Sequence, residues 1–489
     1  MGGGARMNAV IRSQAVLMSA HACRLGLSIA IAALLGRHLA PADFGFVALV
    51  SSIFMVAGEL LDMGTTAVAT RAIAAAPERE RDTLQSLLAL RRLISLAAIV
   101  VVLGLACSDY AQRDEYRVVL AITACSLPLV ALNAYQLAFQ LRQAYGQATL
   151  LALAAQLGFL AAAALALWLR AGGAVIALLV VAREIAQVLA NRRVALRMLG
   201  PRLRASWREP GMAALLRAAW MIGAAGLCYK LAAYAGGFLV WKISAPESLA
   251  SLSAAQQLFA PLAGVAWIFV TPLLAALAVA LGRDPAAFRV QLEGYVTLLL
   301  ALAAVIAVAA FFTAPQILRL VYGDVYASGP WSAVGALRWL ALWAVFALVS
   351  PALIIGEMVR GNALALLLAA AACLAINLAA NLAAIPARGA EGAAMALAAS
   401  EAFMFVALLA RAAGRGDLAP GAAWLAHLAP AALLAPALWA LADSPAWQIA
   451  IACVWVPASL VAILRLPSQR ACRASLASTS AQWPMRPAS

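Results

Sequence analysis

The amino-acid sequence predicts an all-α polytopic membrane protein of about fourteen transmembrane helices, built as two pseudo-symmetric six-helix halves plus two C-terminal helices. Of its 489 residues, 66% are hydrophobic and only 11% are charged, whereas a soluble domain has roughly 25% charged residues. Its mean hydropathy is +0.94. Apolar runs near the length of about 20 residues that one crossing requires recur along the chain. A chain of this composition cannot cover a water-facing surface.

The predicted helices are apolar runs bounded by Pro, Gly or charged residues. In chain order they cover residues 15–36, 46–70, 84–107, 116–140, 146–169, 173–198, 212–243, 250–281, 292–313, 331–355, 361–384, 391–412, 421–441 and 445–465. Arg91 and Arg92 interrupt the third of them. This order predicts an N-terminal six-helix half over residues 1–200, a C-terminal six-helix half over residues 201–415, and two additional helices with a cytoplasmic tail over residues 416–489.

The distribution of charge predicts the orientation in the membrane. The net charge is +15, and among the 35 cationic residues only Lys230 and Lys242 are Lys. An even number of crossings puts both termini on one side. If that side is the cytoplasm, most cationic residues fall in inward-facing segments, as the positive-inside rule requires. We therefore expect a multi-pass protein of the bacterial inner (cytoplasmic) membrane with both termini in the cytoplasm. Because orientation explains the positive charge, no nucleic-acid partner is expected.

A short internal repeat indicates that the two halves are related. Superposing Pro41 on Pro246 also places Arg37 on Lys242 and Phe54 on Phe259. Six helices separate the two copies, so both halves would cross the membrane in the same direction. Parallel repeats of this kind place a substrate site near the midplane, at the pseudo-symmetric interface.

Charged residues inside predicted helices are the candidate binding residues, because a charge at the bilayer centre is costly and marks a cavity or a partner. Arg24 lies in the first helix, one turn after His21, and Lys230 lies at nearly the equivalent depth of the seventh. These three form a candidate cationic substrate site. The alternative is that the cations snorkel to the membrane surface. Arg338, which is flanked by Trp residues, is either a further cation facing the substrate or an aromatic-belt anchor.

Carboxylates in the predicted helices are candidates for ion coupling. Glu59 and Asp62 are spaced i, i+3, so they share one face of the second helix. They could titrate, or form a structural salt bridge, for example with Arg24. Glu401 is an isolated acid in the twelfth helix.

Four further polar residues in helices are predicted to be structural. Arg183 and Glu184 are adjacent in sequence, so we expect them to point to different faces of the sixth helix. Asn377 and Asn381 share a face of the eleventh at i, i+4, where hydrogen bonds between helices would explain them.

No motif indicates an enzyme. The chain has three His residues, no HExxH and no phosphate-binding loop of the GxxxxGK[ST] type, so neither a zinc peptidase nor a nucleotide hydrolase of those classes is indicated. The seven Cys residues form no CxxC pair, and neither a metal nor another cofactor is expected. A membrane polysaccharide polymerase or ligase, the enzyme alternative, normally needs a large outer loop. The longest predicted outward connection is only about residues 314–330.

Three stretches resemble the polysaccharide repeat-unit flippases, the O-antigen and exopolysaccharide exporters of the multidrug/oligosaccharidyl-lipid/polysaccharide (MOP) superfamily. Residues 34–71 resemble the opening "LGp-x-dfG-x-y" turn and the "dlG" that precedes a closing Arg. Residues 314–329 are similar to the short segment before the tenth helix. Residues 377–402 resemble the "N-x-x-l-N-x-x-l-I-P-x-x-G-x-x-G-A-A" passage. One departure is Ala250, which with Ser251 and Leu252 stands where "G-x-Y" is usual.

The resemblance implies a transporter that flips an undecaprenyl-diphosphate-linked oligosaccharide repeat unit from the cytoplasmic to the periplasmic leaflet, by alternating access through a cationic central cavity. Carried over by position, Arg24 and Lys230 fit the cations of that cavity. The implied partners are this lipid-linked oligosaccharide, membrane lipids and the polysaccharide polymerase machinery. The alternative within the superfamily is an ion-coupled multidrug or metabolite exporter, which Glu59 and Asp62 would suit.

Overall fold

The computed structural model describes residues 23–142, 144–199, 211–419, 421–442 and 444–465. Within these ranges the chain is nearly all helical, with fourteen helices of seven or more residues when short breaks are bridged. They are α1 (23–38), α2 (Pro41–Ala75), α3 (Pro77–Cys107), α4 (Asp114–Leu141), α5 (Tyr145–Trp168), α6 (Gly173–Leu199), α7 (Met212–Ile243), α8 (Pro246–Arg283), α9 (Pro285–Phe312), α10 (Ala314–Tyr322), α11 (Val334–Val359), α12 (Ala363–Gly414), α13 (Ala422–Ala440) and α14 (Pro445–Arg465). The predicted all-α class is confirmed.

The length and hydropathy of these helices confirm a membrane protein. In the part of the chain that the structure describes, nine helices are long and apolar enough to cross a bilayer. Large apolar side chains such as Val100, Leu150 and Val454 are exposed on their outer surfaces. A soluble protein would bury such residues, whereas contact with lipid tails satisfies them.

Several helix boundaries differ from the predicted ones; α3 and α9, for example, begin at Pro77 and Pro285 rather than at residues 84 and 292. The two predicted helices 361–384 and 391–412 are both present, because α12 consists of two helices that meet at a kink at Gly389, where φ is 50°. Because one crossing needs about 20 residues, α12 is long enough for two crossings, one on each side of Gly389. In addition, the short helix α10 (Ala314–Tyr322) lies in the predicted outward connection, with Pro315 in its first turn. Proline favours this position because the first turn of a helix leaves its N–H without an acceptor.

The described residues fold as two compact units. The first contains the chain up to residue 253 together with residues 370–390, and the second contains residues 254–369 and the chain from residue 391 onward. In the first unit α7 packs on α2, α3 and the helices around them. In the second, α13 and α14 pack on α9, where Trp424 Nε1 donates to Glu293 Oε1 at 3.1 Å. The boundaries of the predicted halves, at residues 200 and 415, stay a prediction.

The starts of the two repeat-related helices lie against each other within the first unit. Pro41 begins α2 and Pro246 begins α8. A Cβ atom on Gly45 would lie 2.6 Å from the carbonyl oxygen of Pro246 and 3.2 Å from the backbone nitrogen of Ala250. The predicted superposition makes Gly45 and Ala250 equivalent, so two equivalent small residues form this contact. Close approach of the two backbones explains why small residues are needed on both sides.

Candidate functional site

The candidate site is built on a close approach between α2 and α7 in the first unit. A Cβ atom on Gly223 of α7 would lie only 2.1 Å from the Met63 carbonyl oxygen. At that point α2 is broken, because Met63 and Gly64 adopt left-handed conformations with φ values of 43° and 68°. Gly64 in turn lies against the backbone of Gly223. Glycine at both positions therefore lets the two helices touch backbone to backbone.

This approach brings the carboxylate of Glu59 to the surface of α7. A Cβ atom on Gly226 would lie 2.7 Å from Glu59 Oε1, so the carboxylate occupies the space that a side chain at Gly226 would fill. Lys230 is four residues after Gly226, on the same face of α7. Lys230 and Glu59 are both half-buried and interact electrostatically. Within the described chain no carboxylate lies at ion-pair distance from the Lys230 ammonium.

Asp62, the second predicted coupling acid, is engaged elsewhere. It forms an ion pair with Arg91 of α3 and accepts a hydrogen bond from the Thr66 hydroxyl. The Arg91 guanidinium also donates to Thr66 Oγ1 at 2.6 Å. Arg91 is only 4% exposed and lies in the middle of a continuous helix rather than interrupting it. Asp62 therefore pairs with Arg91 and not with Arg24, the partner suggested from the sequence. The structure shows the structural salt bridge that was the alternative to a titrating carboxylate.

The cationic residues predicted in the first helix are not buried as the predicted substrate site requires. Arg24 is exposed, which contradicts the burial expected from the sequence, and its carbonyl accepts a 3.5 Å hydrogen bond from Gln156 Nε2 of α5. Its guanidinium forms no ion pair with any residue that the structure describes. Arg24 and Lys230 are in the same unit. His21 lies outside the described residues.

Arg338 and Glu401 belong to the second unit, whereas Glu59 and Asp62 belong to the first. The Arg338 guanidinium lies 5.2 Å from the centre of the Phe311 ring, and its Nε donates to the Phe311 carbonyl at 3.4 Å. Its side chain is exposed. An exposed cation packed on an aromatic ring is typical of the anchor that was the alternative prediction. Glu401 is buried, at 3% exposure.

One of the structural predictions is wrong in detail. Arg183 and Glu184 form an ion pair with each other although they are adjacent in sequence, since their long side chains bend toward one another. Asn381 Nδ2 donates to the backbone oxygen and to Oδ1 of Asn377, both at 2.8 Å. These two hydrogen bonds lie within one helix, as i, i+4 residues allow, and the expected hydrogen bonds between helices stay a prediction.

A buried ionic network in the second unit was not predicted. Glu357 at the end of α11 is 2% exposed and pairs with Arg415 and with Arg411, the latter at 3.8 Å. Asp417, also buried, pairs with Arg360 and accepts from Arg415 Nε at 3.1 Å. Burial lowers the pKa of Arg415, but its hydrogen bonds to the two carboxylates outweigh this and raise that pKa above its ordinary value. In the sequence the only signal is that Arg and acidic residues recur beside Gly at two helix ends.

Comparison with known proteins identifies the family to which the chain belongs. Residues 10–278, more than half of the chain, match the family described as "Polysaccharide biosynthesis protein". The chain belongs to this polysaccharide biosynthesis family. The predicted resemblance to the flippases of the MOP superfamily is thereby confirmed.

Solved structures show the fold of this family member. The lipid II flippase MurJ in an inward closed conformation is similar with a TM-score of 0.71 and 12% identity, over 93% of this chain and 98% of that one. An inward-facing multidrug resistance MATE family transporter of the MOP superfamily is similar with a TM-score of 0.58 and 14% identity, over 79% of this chain and 93% of that one. Both similar structures are transporters. No curated protein sequence matches the chain.

Proposed function

We propose that this protein flips an undecaprenyl-diphosphate-linked oligosaccharide repeat unit from the cytoplasmic to the periplasmic leaflet of the bacterial inner membrane, by alternating access. Membership of the polysaccharide biosynthesis family and the likeness of the fold to a lipid flippase support the class of substrate. The observation that carries the proposal is Lys230, a half-buried ammonium on a membrane-spanning helix with no direct ion pair in the described chain.

The chemistry of the substrate explains why such a cation is needed. Sugar hydroxyls lose their hydrogen bonds to water in hydrocarbon, so the head group requires a polar path. The diphosphate adds negative charge, which is costly to bury without compensation. The Lys230 ammonium offers three donors to phosphate oxygens. In this proposal Arg24, whose exposed guanidinium is also without an ion pair in the described chain, supplies the second positive charge, and the lipid tail remains in the bilayer.

Complementation of a flippase-deficient strain, scored by surface polysaccharide at matched protein level, tests the proposal. We expect Lys230→Ala and Arg24→Ala each to abolish export. Lys230→Arg retains the charge and should retain part of the activity, whereas Arg24→Lys loses the bidentate fork and should be weaker than wild type. Wild-type export by the double Ala variant would refute the proposal.

The second candidate function is ion-coupled export of a drug or metabolite. It is favoured by the similarity of the fold to the multidrug resistance transporter and by the half-buried carboxylate of Glu59. This function requires that expression of the protein protects cells from a toxic compound and that Glu59→Gln removes the protection. Protection without any effect on surface polysaccharide would favour this candidate over the flippase.

A further inference from the structure

Helix α11 carries a strip of one small and two aromatic residues along one flank. Gly335, Trp339 and Trp343 are spaced i, i+4, i+8, so they share this flank. All three are half-buried and belong to the second unit. Three residues further along α11, the Phe346 ring packs on Phe405 of α12, with 5.6 Å between the ring centroids. The strip therefore lies beside the part of α12 that follows Gly389.

The carboxylate of Glu391, from that part of α12, lies at the start of the strip. A Cβ atom on Gly335 would lie 2.7 Å from Glu391 Oε2 and 2.9 Å from its Cδ, so the carboxylate lies directly on the backbone of α11. Its Oε1 accepts a hydrogen bond from Trp339 Nε1 at 3.3 Å. Glu391 is half-buried and forms no ion pair with any residue that the structure describes. Because a carboxylate accepts up to about four hydrogen bonds, Oε2 retains capacity for further donors.

The last residue of the strip supplies the complementary group. The indole nitrogen of Trp343 is buried, and among the described residues it has no hydrogen-bond acceptor. A buried N–H without an acceptor is costly, and a buried Trp usually finds one. A bound molecule that brings an acceptor oxygen would remove this cost. The strip thus offers a carboxylate acceptor beside Trp339 and an indole donor one helical turn further on, with aromatic surface between them.

This combination of groups fits a sugar ring. Sugar hydroxyls both donate and accept hydrogen bonds, so one hydroxyl can donate to Glu391 while another sugar oxygen accepts from Trp343. The C–H groups of the ring pack on the aromatic surface, and sites of this kind combine apolar walls with a few placed polar groups. An anion is repelled by Glu391, and a cation would leave the Trp343 N–H without an acceptor. A neutral polyhydroxyl group therefore fits best.

We propose that Glu391, Trp339 and Trp343 form a carbohydrate-binding subsite, which holds a sugar of the lipid-linked oligosaccharide. This inference rests on the proposed function, which supplies a substrate with a sugar head group. Glu391 accepts from a sugar hydroxyl, Trp343 donates to a sugar oxygen, and Trp339 orients the carboxylate by its hydrogen bond. Gly335 is part of the subsite because the carboxylate occupies the space of a Cβ atom there.

Two lipids that differ only in the sugar test the subsite. Full-length protein in detergent is titrated with undecaprenyl diphosphate and with the lipid-linked oligosaccharide extracted from the flippase-deficient strain, and both Kd values are measured by native mass spectrometry. Wild type should bind the sugar-bearing lipid at least about tenfold more tightly. Glu391→Ala should remove most of this preference. Trp343→Phe, which keeps a ring but loses the N–H, should lower the preference by about threefold. In both variants the Kd of undecaprenyl diphosphate should equal that of wild type.

Glu293→Ala is the matched control. Glu293 also accepts a hydrogen bond from an indole in the second unit, that of Trp424 at 3.1 Å, but it lies outside the strip. This variant should keep the preference of wild type for the sugar-bearing lipid.

The remaining outcomes separate the inference from the proposed function. If wild type prefers the sugar-bearing lipid and both Glu391→Ala and Trp343→Phe keep that preference, the inference is wrong and the proposed function stands. Equal weakening of both lipids in Glu391→Ala would show that the carboxylate is only structural, and would also overturn the inference. If wild type binds neither lipid, the proposed function itself is wrong and the inference fails with it.

Discussion

The Asp62 carboxylate on α2 pairs with the buried Arg91 guanidinium on α3 in the first unit of the fold. Thr66 completes this contact by donating to Asp62 and accepting from Arg91. The pair gives the two acids of α2 different functions. Asp62 neutralises a buried cation, whereas the carboxylate of Glu59, one turn earlier, lies against Gly226 of α7.

Removal of one partner of this pair is expected to destabilise the protein. Asp62→Asn leaves Arg91 charged and 4% exposed, and loss of one member of a buried ion pair costs about 3 kcal/mol or more. The apparent melting temperature in detergent should fall accordingly. The double variant Asp62→Leu with Arg91→Leu removes both charges and should recover most of the loss. A double variant no more stable than Asp62→Asn would show that the pair has another function.

The contact between α2 and α7 predicts a strong effect at Gly223. In Gly223→Ala the added Cβ would lie 2.1 Å from the Met63 carbonyl oxygen, so the helices must separate at a cost of about 1–3 kcal/mol. Gly58→Ala is the matched control on α2, because a Cβ there meets nothing within 4 Å. It should be neutral or stabilising by about 0.5–1 kcal/mol. Thermal unfolding in detergent compares the two, and equal stability of both variants would contradict the close approach.

The ionic network of the second unit predicts a contrast between two Asp residues. Asp417→Asn removes a buried carboxylate that pairs with Arg360 and Arg415, and about 3–5 kcal/mol of stability should be lost. Asp324→Asn removes the exposed partner of Arg319, which should cost about 1 kcal/mol or less. Both are measured by thermal unfolding in the same detergent. Similar losses in the two variants would argue that the buried network contributes no more than a surface pair.

The predicted topology is tested with reporter fusions. With both termini in the cytoplasm, a fusion after Gly361 should report the cytoplasmic side and a fusion after Ser328 the periplasmic side. The physical reason is the excess of Arg in the inward-facing segments, which the positive-inside rule retains in the cytoplasm. Fusions that report the same side at both positions would overturn this topology.

Much of the fold could be predicted because membrane-spanning helices must be long and apolar. The helices predicted near 173–198 and 212–243 agree with α6 and α7 within a residue. The break within α12 also agrees with the sequence, since Gly389, the non-helical residue at the kink, lies between the two predicted helices 361–384 and 391–412. Hydrophobicity determines that a segment is helical, but backbone conformation at single residues determines where it breaks.

The candidate site was predictable only as a set of charged residues. Lys230 and Glu59 were both singled out from the sequence, because a charge in an apolar helix is conspicuous. Their relationship was not, since it depends on Gly223 and Gly226, which look like ordinary small residues of a membrane helix. The Asp62 partner was missed for the same reason, because ion pairs between helices depend on packing that periodicity does not encode.

The most direct test of the account is transport measured with purified protein. Proteoliposomes are loaded with a lipid-linked oligosaccharide diphosphate that is labelled on the sugar, and its appearance in the opposite leaflet is followed with a membrane-impermeant glycosidase. The account predicts translocation by wild type, partial translocation by Lys230→Arg, and rates at the protein-free background for Lys230→Ala. Translocation by Lys230→Ala at the wild-type rate, in vesicles that contain equal amounts of folded protein, would contradict it.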